Sequence, residues 1–145
     1  MGIKNIDFKQ IGIADEWEYT VDFQDEFKAR IFYTKARESG YTVYDEIIGN
    51  FSIKEKGIGR TYIGENHRGI APERDSNTLL EEYLPEAITH LEEIQTNPKV
   101  KEYASFGKPF HKLMLATETL LNLYKKEVRK QKVGPYEGIS GSIEF

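Results

Sequence analysis

In Trp17-Glu18-Tyr19-Thr20-Val21-Asp22-Phe23, Gln24-Asp25-Glu26 and Phe27-Lys28-Ala29-Arg30-Ile31-Phe32-Tyr33-Thr34, two runs of alternating apolar and polar residues flank a short polar break. In the first run Trp17, Tyr19, Val21 and Phe23 alternate with Glu18, Thr20 and Asp22, the period of two that puts rings and branched chains on one face of a strand. In the second run Phe27, Ala29, Ile31 and Tyr33 alternate with Lys28, Arg30 and Thr34. The short polar break between them has the length of a hairpin turn, so the spacing predicts two antiparallel, half-buried strands.

Working outward, Lys35-Ala36-Arg37-Glu38-Ser39-Gly40 and Tyr41-Thr42-Val43-Tyr44 read as a long connection or a short turn of helix. Alternation resumes at Ile47, Gly49, Phe51 and Ile53. Lys56-Gly57 then supplies a turn, and residues 58–63 make a second hairpin arm. The sheet half thus spans about 15–64. From Gly64 to Asp75 neither period holds, and Gly, Pro and charges mark a loop.

The second half is helical in pattern. Asp75 or Ser76 can cap it, Thr78 with Glu81 fits a capping box, and Leu80, Tyr83, Leu84, Ala87, Ile88, Leu91 and Ile94 recur at helical steps. Pro85 predicts a kink near Leu84, and Asn97-Pro98 a stop. A further turn fits 99–105, and Gly107 breaks it. Pro109 then opens a helix to about Val133, which Gly134-Pro135 ends. The fold class is therefore α+β, an N-terminal antiparallel β-sheet followed by two long C-terminal α-helices, in one domain over 1–145 with its helical half at 76–133 and a tail at 134–145. The tail is either loose or docked as a short edge strand. Phe110, Leu113, Met114, Thr117, Leu120, Leu121, Tyr124 and Val128 line one face of the last helix, and Leu115 and Leu123 widen it. So wide a face is covered either within the monomer or by a second copy, in a homodimer or higher homo-oligomer built through the helices.

Composition narrows the function. A chain of 145 residues can bury a core without disulfide or metal staples, and the absence of cysteine removes thiolate metal sites and cysteine nucleophiles. No apolar run of signal-peptide or membrane-span length is present, so the expected location is the cytoplasm. A net charge of −4 disfavours long nucleic acid while permitting a local pocket for a small anion. The sequence carries none of the common catalytic fingerprints, and neither enzyme activity, cofactor nor metal is expected. His67, His90 and His111 fall on separate elements, and the adjacent acidic pairs Glu81-Glu82 and Glu92-Glu93 diverge around a helix.

The chemistry-bearing stretch is Arg60-Thr61-Tyr62 with Asn66-His67-Arg68 and Arg74-Asp75-Ser76, around a glycine-bearing loop leading into a helix. Arg60, Arg68 and Arg74 suit phosphates, Tyr62 suits stacking on a base, and Asn66 and His67 suit polar edges. Lys125 and Arg129 are candidates to complete the pocket from a partner's helix; as cations they equally suit the negative end of their own helix. Two readings fit the loop: a small-nucleotide site, or arginines paired at the surface with Glu65, Glu73 and Asp75.

An aromatic-rich antiparallel sheet followed by two helices, in a cysteine-free chain of this length, resembles the phage anti-Thoeris sponge proteins over residues 15 to 133. The resemblance implies a non-enzymatic protein that sequesters a small cyclic nucleotide of the cyclic ADP-ribose type, an oligomer built through the helices, and a site near the sheet–helix junction. The alternative from the residues is an inhibitor that meets a basic host enzyme through Glu81, Glu82, Glu86, Glu92 and Glu93.

Overall fold

In the computed structural model, residues 2–12, 15–38, 42–64, 67–68 and 79–137 are described. The sheet is a meander of consecutive antiparallel strands, β1 (Ile3–Gln10), β2 (Trp17–Phe23), β3 (Phe27–Glu38), β4 (Thr42–Ile53) and β5 (Lys56–Gly64), extended by the two-residue β6 (His67–Arg68). A helical turn over 79–82 leads into α1 (Leu84–Thr96), α2 (Pro98–Phe106) and α3 (Lys108–Glu137). The architecture is α+β, with its helices following the sheet.

The hairpin of β2 and β3 forms as its alternation predicts, with Tyr19 opposite Ile31 and Val21 opposite Ala29. The turn between β4 and β5 falls at Lys54-Glu55 and not at Lys56-Gly57, which already pair with Ile53 and Ser52. Three larger features depart from the sequence reading. β1 pairs with β2 along its length, and its alternation was hidden because a bulge between Ile3 and Asn5 inserts one residue. Only with that extra residue do Ile3, Ile6 and Phe8 share a face. Residues 35–38 and 42–44 are strand and not a connection or a helical turn, because β3 and β4 continue to the pair Glu38 and Thr42, while residues 39–41 lie outside the described residues. Cross-strand polar pairs support the strands there: Lys35 Nζ lies 2.8 Å from the Asp45 carboxylate on the opposite strand, and the Tyr33 hydroxyl donates to Asp45 at 2.6 Å.

The third departure concerns the helices, of which one is long. The break at Tyr83 accords with Pro85, which sits in the first turn of α1 where its missing N–H costs nothing. Asn97 then serves two helices. Its backbone N–H closes α1 on the Glu93 carbonyl, and its side chain accepts from the N–H groups of Lys99 and Val100, so α2 begins at once and runs nine residues. Gly107 ends α2 as expected. The α3 backbone continues through Gly134-Pro135 to Glu137, past the expected stop. The capping residues Asp75, Ser76 and Thr78, and the tail beyond 137, lie outside the described residues.

Odd-numbered residues of β2, β3 and β4 face the helices. Tyr19, Val21, Phe23, Phe27, Ala29, Ile31, Tyr33, Ile47 and Phe51 are buried there against Leu84, Leu91 and Ile94 of α1 and Leu113, Ala116, Leu120 and Tyr124 of α3. Two hydroxyls tie the layers together. Tyr124 and Thr61, both fully buried, share a hydrogen bond of 2.5 Å, and the Tyr19 hydroxyl donates to the Pro109 carbonyl at the start of α3. α3 packs on the sheet with one flank and on α1 and α2 with another, which accounts for the breadth of its apolar surface. Leu115 stays exposed.

At the turn end of the sheet, His90 of α1 is buried with its ring stacked on Phe27, centroids 4.0 Å apart, and edge-on to Phe23. Its Nδ1 lies 2.6 Å from the Glu86 carbonyl and its Nε2 2.9 Å from the Asp25 carboxylate, so both ring nitrogens have a polar partner. Partial burial works to raise the Asp25 carboxyl, but the His90 hydrogen bond and charge outweigh it and hold Asp25 below its usual range.

A Cβ at Gly49 would lie 2.9 Å from the ring of Phe51 and 3.2 Å from Leu120. Phe51 is itself wedged against Phe27 and Tyr124. Gly49→Ala should therefore destabilise the fold by about 1–3 kcal/mol, read from urea unfolding. Because Asp25 is held down in the folded state, its stabilising pair is present above the unfolded carboxylate pKa and is lost as pH falls through the lower folded value. Below about pH 4 the wild type should lose melting temperature more steeply than Asp25→Asn; parallel curves would show that the pair carries no acid sensitivity.

Candidate functional site

With the helices on one face, the even-numbered residues of β2–β4, joined past the bulge at the buried Ile58 by Arg60 and Tyr62 of β5, form an open face on the other side of the sheet. Strand register arranges them in rows. One row runs Asp7, Thr20, Arg30, Asn50, Arg60 across five strands, and the next runs Lys9, Glu18, Phe32, Ile48, Tyr62. Arg30 and Arg60 thus flank Asn50 from two strands apart, about 10 Å between their backbones. Phe32, Ile48 and Tyr62 make a half-buried apolar strip beside them.

The partners of these side chains define the electrostatics. Arg30 Nη2 donates to Glu18 Oε1 at 2.8 Å, and its guanidinium stands 5.5 Å from the Phe32 ring centroid. Arg30 and Lys9 together hold the Glu18 carboxyl below its usual range, their hydrogen bonds outweighing its desolvation. The Tyr62 hydroxyl donates to Glu46 Oε1, and Thr34 Oγ1 approaches the other oxygen at 3.5 Å. Burial first, and then the Glu46 contact, pushes the Tyr62 phenol up to about 12, so it remains a neutral donor and a neutral stacking ring at physiological pH.

The next row toward the turns is Asn5, Asp22, Lys28 and Ser52, the floor of a cleft of about 690 Å³ that Lys4, Gln24, Glu26, Lys54 and Glu55 complete. Lys28 lies 3.6 Å from Asp22 within it. Lys54 and Glu55 turn the chain with positive φ at its rim, as does Glu26, whose carbonyl accepts from the Lys54 N–H at 3.0 Å. The cleft adjoins the arginine row and does not contain Arg60 or Tyr62. Its three lysines are balanced by three carboxylates, and the arginine face balances Lys9, Arg30 and Arg60 against Asp7, Glu18 and Glu46, so what distinguishes the arginine face as an anion receiver is the forked geometry of its guanidinium groups and not net charge.

Of the residues picked out in the sequence, Arg60 and Tyr62 lie two apart on β5 and share this open face. The backbone of His67 and Arg68 pairs with Gly64 and Ile63, which carries those residues beside β5 as the sixth strand; their side chains, and Asn66 and Arg74, lie outside the described residues. Lys125 and Arg129 are on α3, whose neighbour Tyr124 contacts Thr61 through the opposite face of the sheet. Within one chain they do not meet Arg60, and Lys125 Nζ instead lies 3.8 Å from Glu92. The sequence reading missed Arg30, Phe32 and Asn50 as site residues. Parity was the available signal, since Arg30 sits on the polar side of the same alternation that gave the core. Among the described residues no cluster of three or more His, Asp or Glu is arranged to hold a metal, and no helix is long and apolar enough to cross a membrane.

No protein family, curated protein or solved structure matches the chain. Arg30 is half exposed and its ion pair with Glu18 lies at the surface, so Arg30→Ala should cost no more than about 1 kcal/mol in urea unfolding. A larger loss would mean that this arginine holds the sheet together and cannot serve as a probe of binding.

Proposed function

We propose that the open sheet face captures a small cyclic nucleotide of the cyclic ADP-ribose type and holds it without turnover, as a sponge for a signal in a phage-encoded evasion of host defence. The observation that carries this reading is the cross-strand row Arg30, Asn50, Arg60 beside Phe32 and Tyr62. Two arginines whose backbones lie about 10 Å apart suit a ligand with two phosphates, and Asn50 between them offers both a donor and an acceptor. Flat rings beside a cationic row are the recurring way in which a sheet face receives a base without reading its sequence. The neutral Tyr62 and the ring of Phe32 supply that stacking surface.

Thermal unfolding across cyclic ADP-ribose isomers and cyclic di- and trinucleotides tests the reading. A ligand at one hundred times its dissociation constant stabilises the folded state by about 2.7 kcal/mol, a rise of several degrees in melting temperature. Arg60→Glu and Arg30→Glu should each abolish the rise while the unliganded proteins still melt cooperatively, and the ligand should be recovered unaltered by chromatography. A panel with no shift, or a shift indifferent to both substitutions, removes the proposal.

A second reading rests on α1 and the helical turn before it. Glu81, Glu82, Glu86 and Glu92 are all exposed, and Glu93 is half-buried, an acidic helical surface suited to a basic protein partner. Capture of a host enzyme that weakens steeply with salt and vanishes in a Glu82→Lys, Glu86→Lys variant would favour it over the nucleotide.

A further inference from the structure

We propose that the outer edge of β1 is a self-association surface, on which a second copy of this chain pairs antiparallel about a two-fold axis through Phe8. β1 is the end strand of the sheet, and among the described residues no strand pairs with its other edge. Ile11 donates to the Glu16 carbonyl, which fixes the phase of the ladder. Lys9, Asp7 and Asn5 then turn their main-chain groups toward β2, and Gln10, Phe8 and Ile6 turn theirs to the open edge. An eight-residue strand with such an edge is a template for another strand.

The side chains choose the partner. With Phe8 opposite Phe8 of the second copy, Ile6 pairs with Gln10 in hydrogen-bonded positions, giving about six main-chain hydrogen bonds in all. Asp7 then faces Lys9 of the other copy, twice, in the close non-hydrogen-bonded positions where opposite charges attract most. The two neighbouring two-fold registers fail on the same charges. Centring on Asp7 opposes two carboxylates, and centring on Lys9 opposes two ammonium groups. β1 is therefore complementary to itself in one register and discriminates against those beside it.

The apolar surface lies along the same edge. Phe8 is 46% exposed and on the helix side meets Phe110 edge-on at 5.1 Å, which in turn packs on Tyr103 at 5.1 Å; Tyr103 is itself 48% exposed. Phe106, one turn from both along the chain, is 84% exposed. A second copy would seat its own Phe8 against this group and continue the open arginine face across the axis as one surface. This contact differs from one made through the helices, and it does not depend on the nucleotide proposal.

Sedimentation equilibrium of the full chain tests it. The wild type should be a dimer. Asp7→Lys, which faces two like charges across the axis, should weaken it by roughly tenfold or more, and the exchange Asp7→Lys with Lys9→Asp should restore it. The exchange places a carboxylate at position 9 directly opposite Glu18, which Lys9 holds at 3.1 Å in the wild type, so the fold of that variant is checked by circular dichroism before its dimer is weighed. Gln10→Pro removes an edge N–H that β2 does not use and should also dissociate the dimer, giving an independent arm if the exchange variant fails to fold. A wild type that stays monomeric at all concentrations overturns the proposal. So does a dimer indifferent to Asp7→Lys and Gln10→Pro, or one dissociated instead by Leu115→Glu on α3.

Discussion

Helices cover one face of the sheet, and that one-sidedness is the constraint from which the rest of the molecule follows. α3 lies across the strands with Leu113, Ala116, Leu120 and Tyr124 against the sheet, and Tyr124 carries its hydroxyl to the buried Thr61. A buried hydroxyl without a partner would cost about 1–3 kcal/mol, so this pair fixes both the height of α3 over β5 and the parity of β5. Once Thr61 faces inward, Arg60 and Tyr62 must face outward. The candidate site is thus a geometric consequence of how the core is closed.

Magnitudes separate the contacts that define the fold from those that decorate it. A buried Leu or Tyr contributes about 1.5–3 kcal/mol, whereas exposed pairs such as Lys9 with Glu18 or Lys125 with Glu92 contribute under about 1 kcal/mol. His90 is the intermediate case. Its ring is buried between Phe27 and Phe23 while its nitrogens reach the Glu86 carbonyl and the half-exposed Asp25, so a single side chain joins α1 to the turn between β2 and β3. That tie holds the turn end of the sheet, where the lysine-bearing cleft opens, at a fixed distance from the helices.

Legibility in the sequence followed the physical reason for each element. Wherever one face of a strand is buried, as in Trp17–Phe23 and Phe27–Tyr33, periodicity revealed it, because burial is what makes alternation necessary. Where β3 and β4 continue as polar pairs such as Lys35 with Asp45, no apolar face is required and no alternation was there to find. β1 half-buries only Ile3 and Ile6 on its helix side, and the bulge near Lys4, at the start of the strand, shifts the phase between them. Asn97 concealed a boundary differently, by ending one helix and capping the next without a linker. For the site, Arg60 and Tyr62 were visible as neighbours in sequence. Arg30 and Asn50 were not, because what joins them to Arg60 is the register of three strands, a property of pairing that no local window contains.

The open edge and the open face raise one physical question, since unpaired strand edges and half-buried rings in water both favour indiscriminate association. β1 answers it with charge. Lys4, Asp7 and Lys9 are all exposed along eight residues, and the bulge twists the strand at its start, two of the ordinary means by which edges are kept from pairing at random. On the open face, Arg30 stands over Phe32 and Glu46 takes the Tyr62 hydroxyl, so each ring is bordered by a charged group that keeps water and ions near. Charges placed in this way do not abolish association; they restrict it to surfaces that present the complementary pattern. At the edge, that pattern is β1 read in reverse, and on the face it is an anion with an aromatic plane. One arrangement of charge against apolar surface therefore supports both selectivities, and both originate in which alternate residues of each strand the core takes to the helix side.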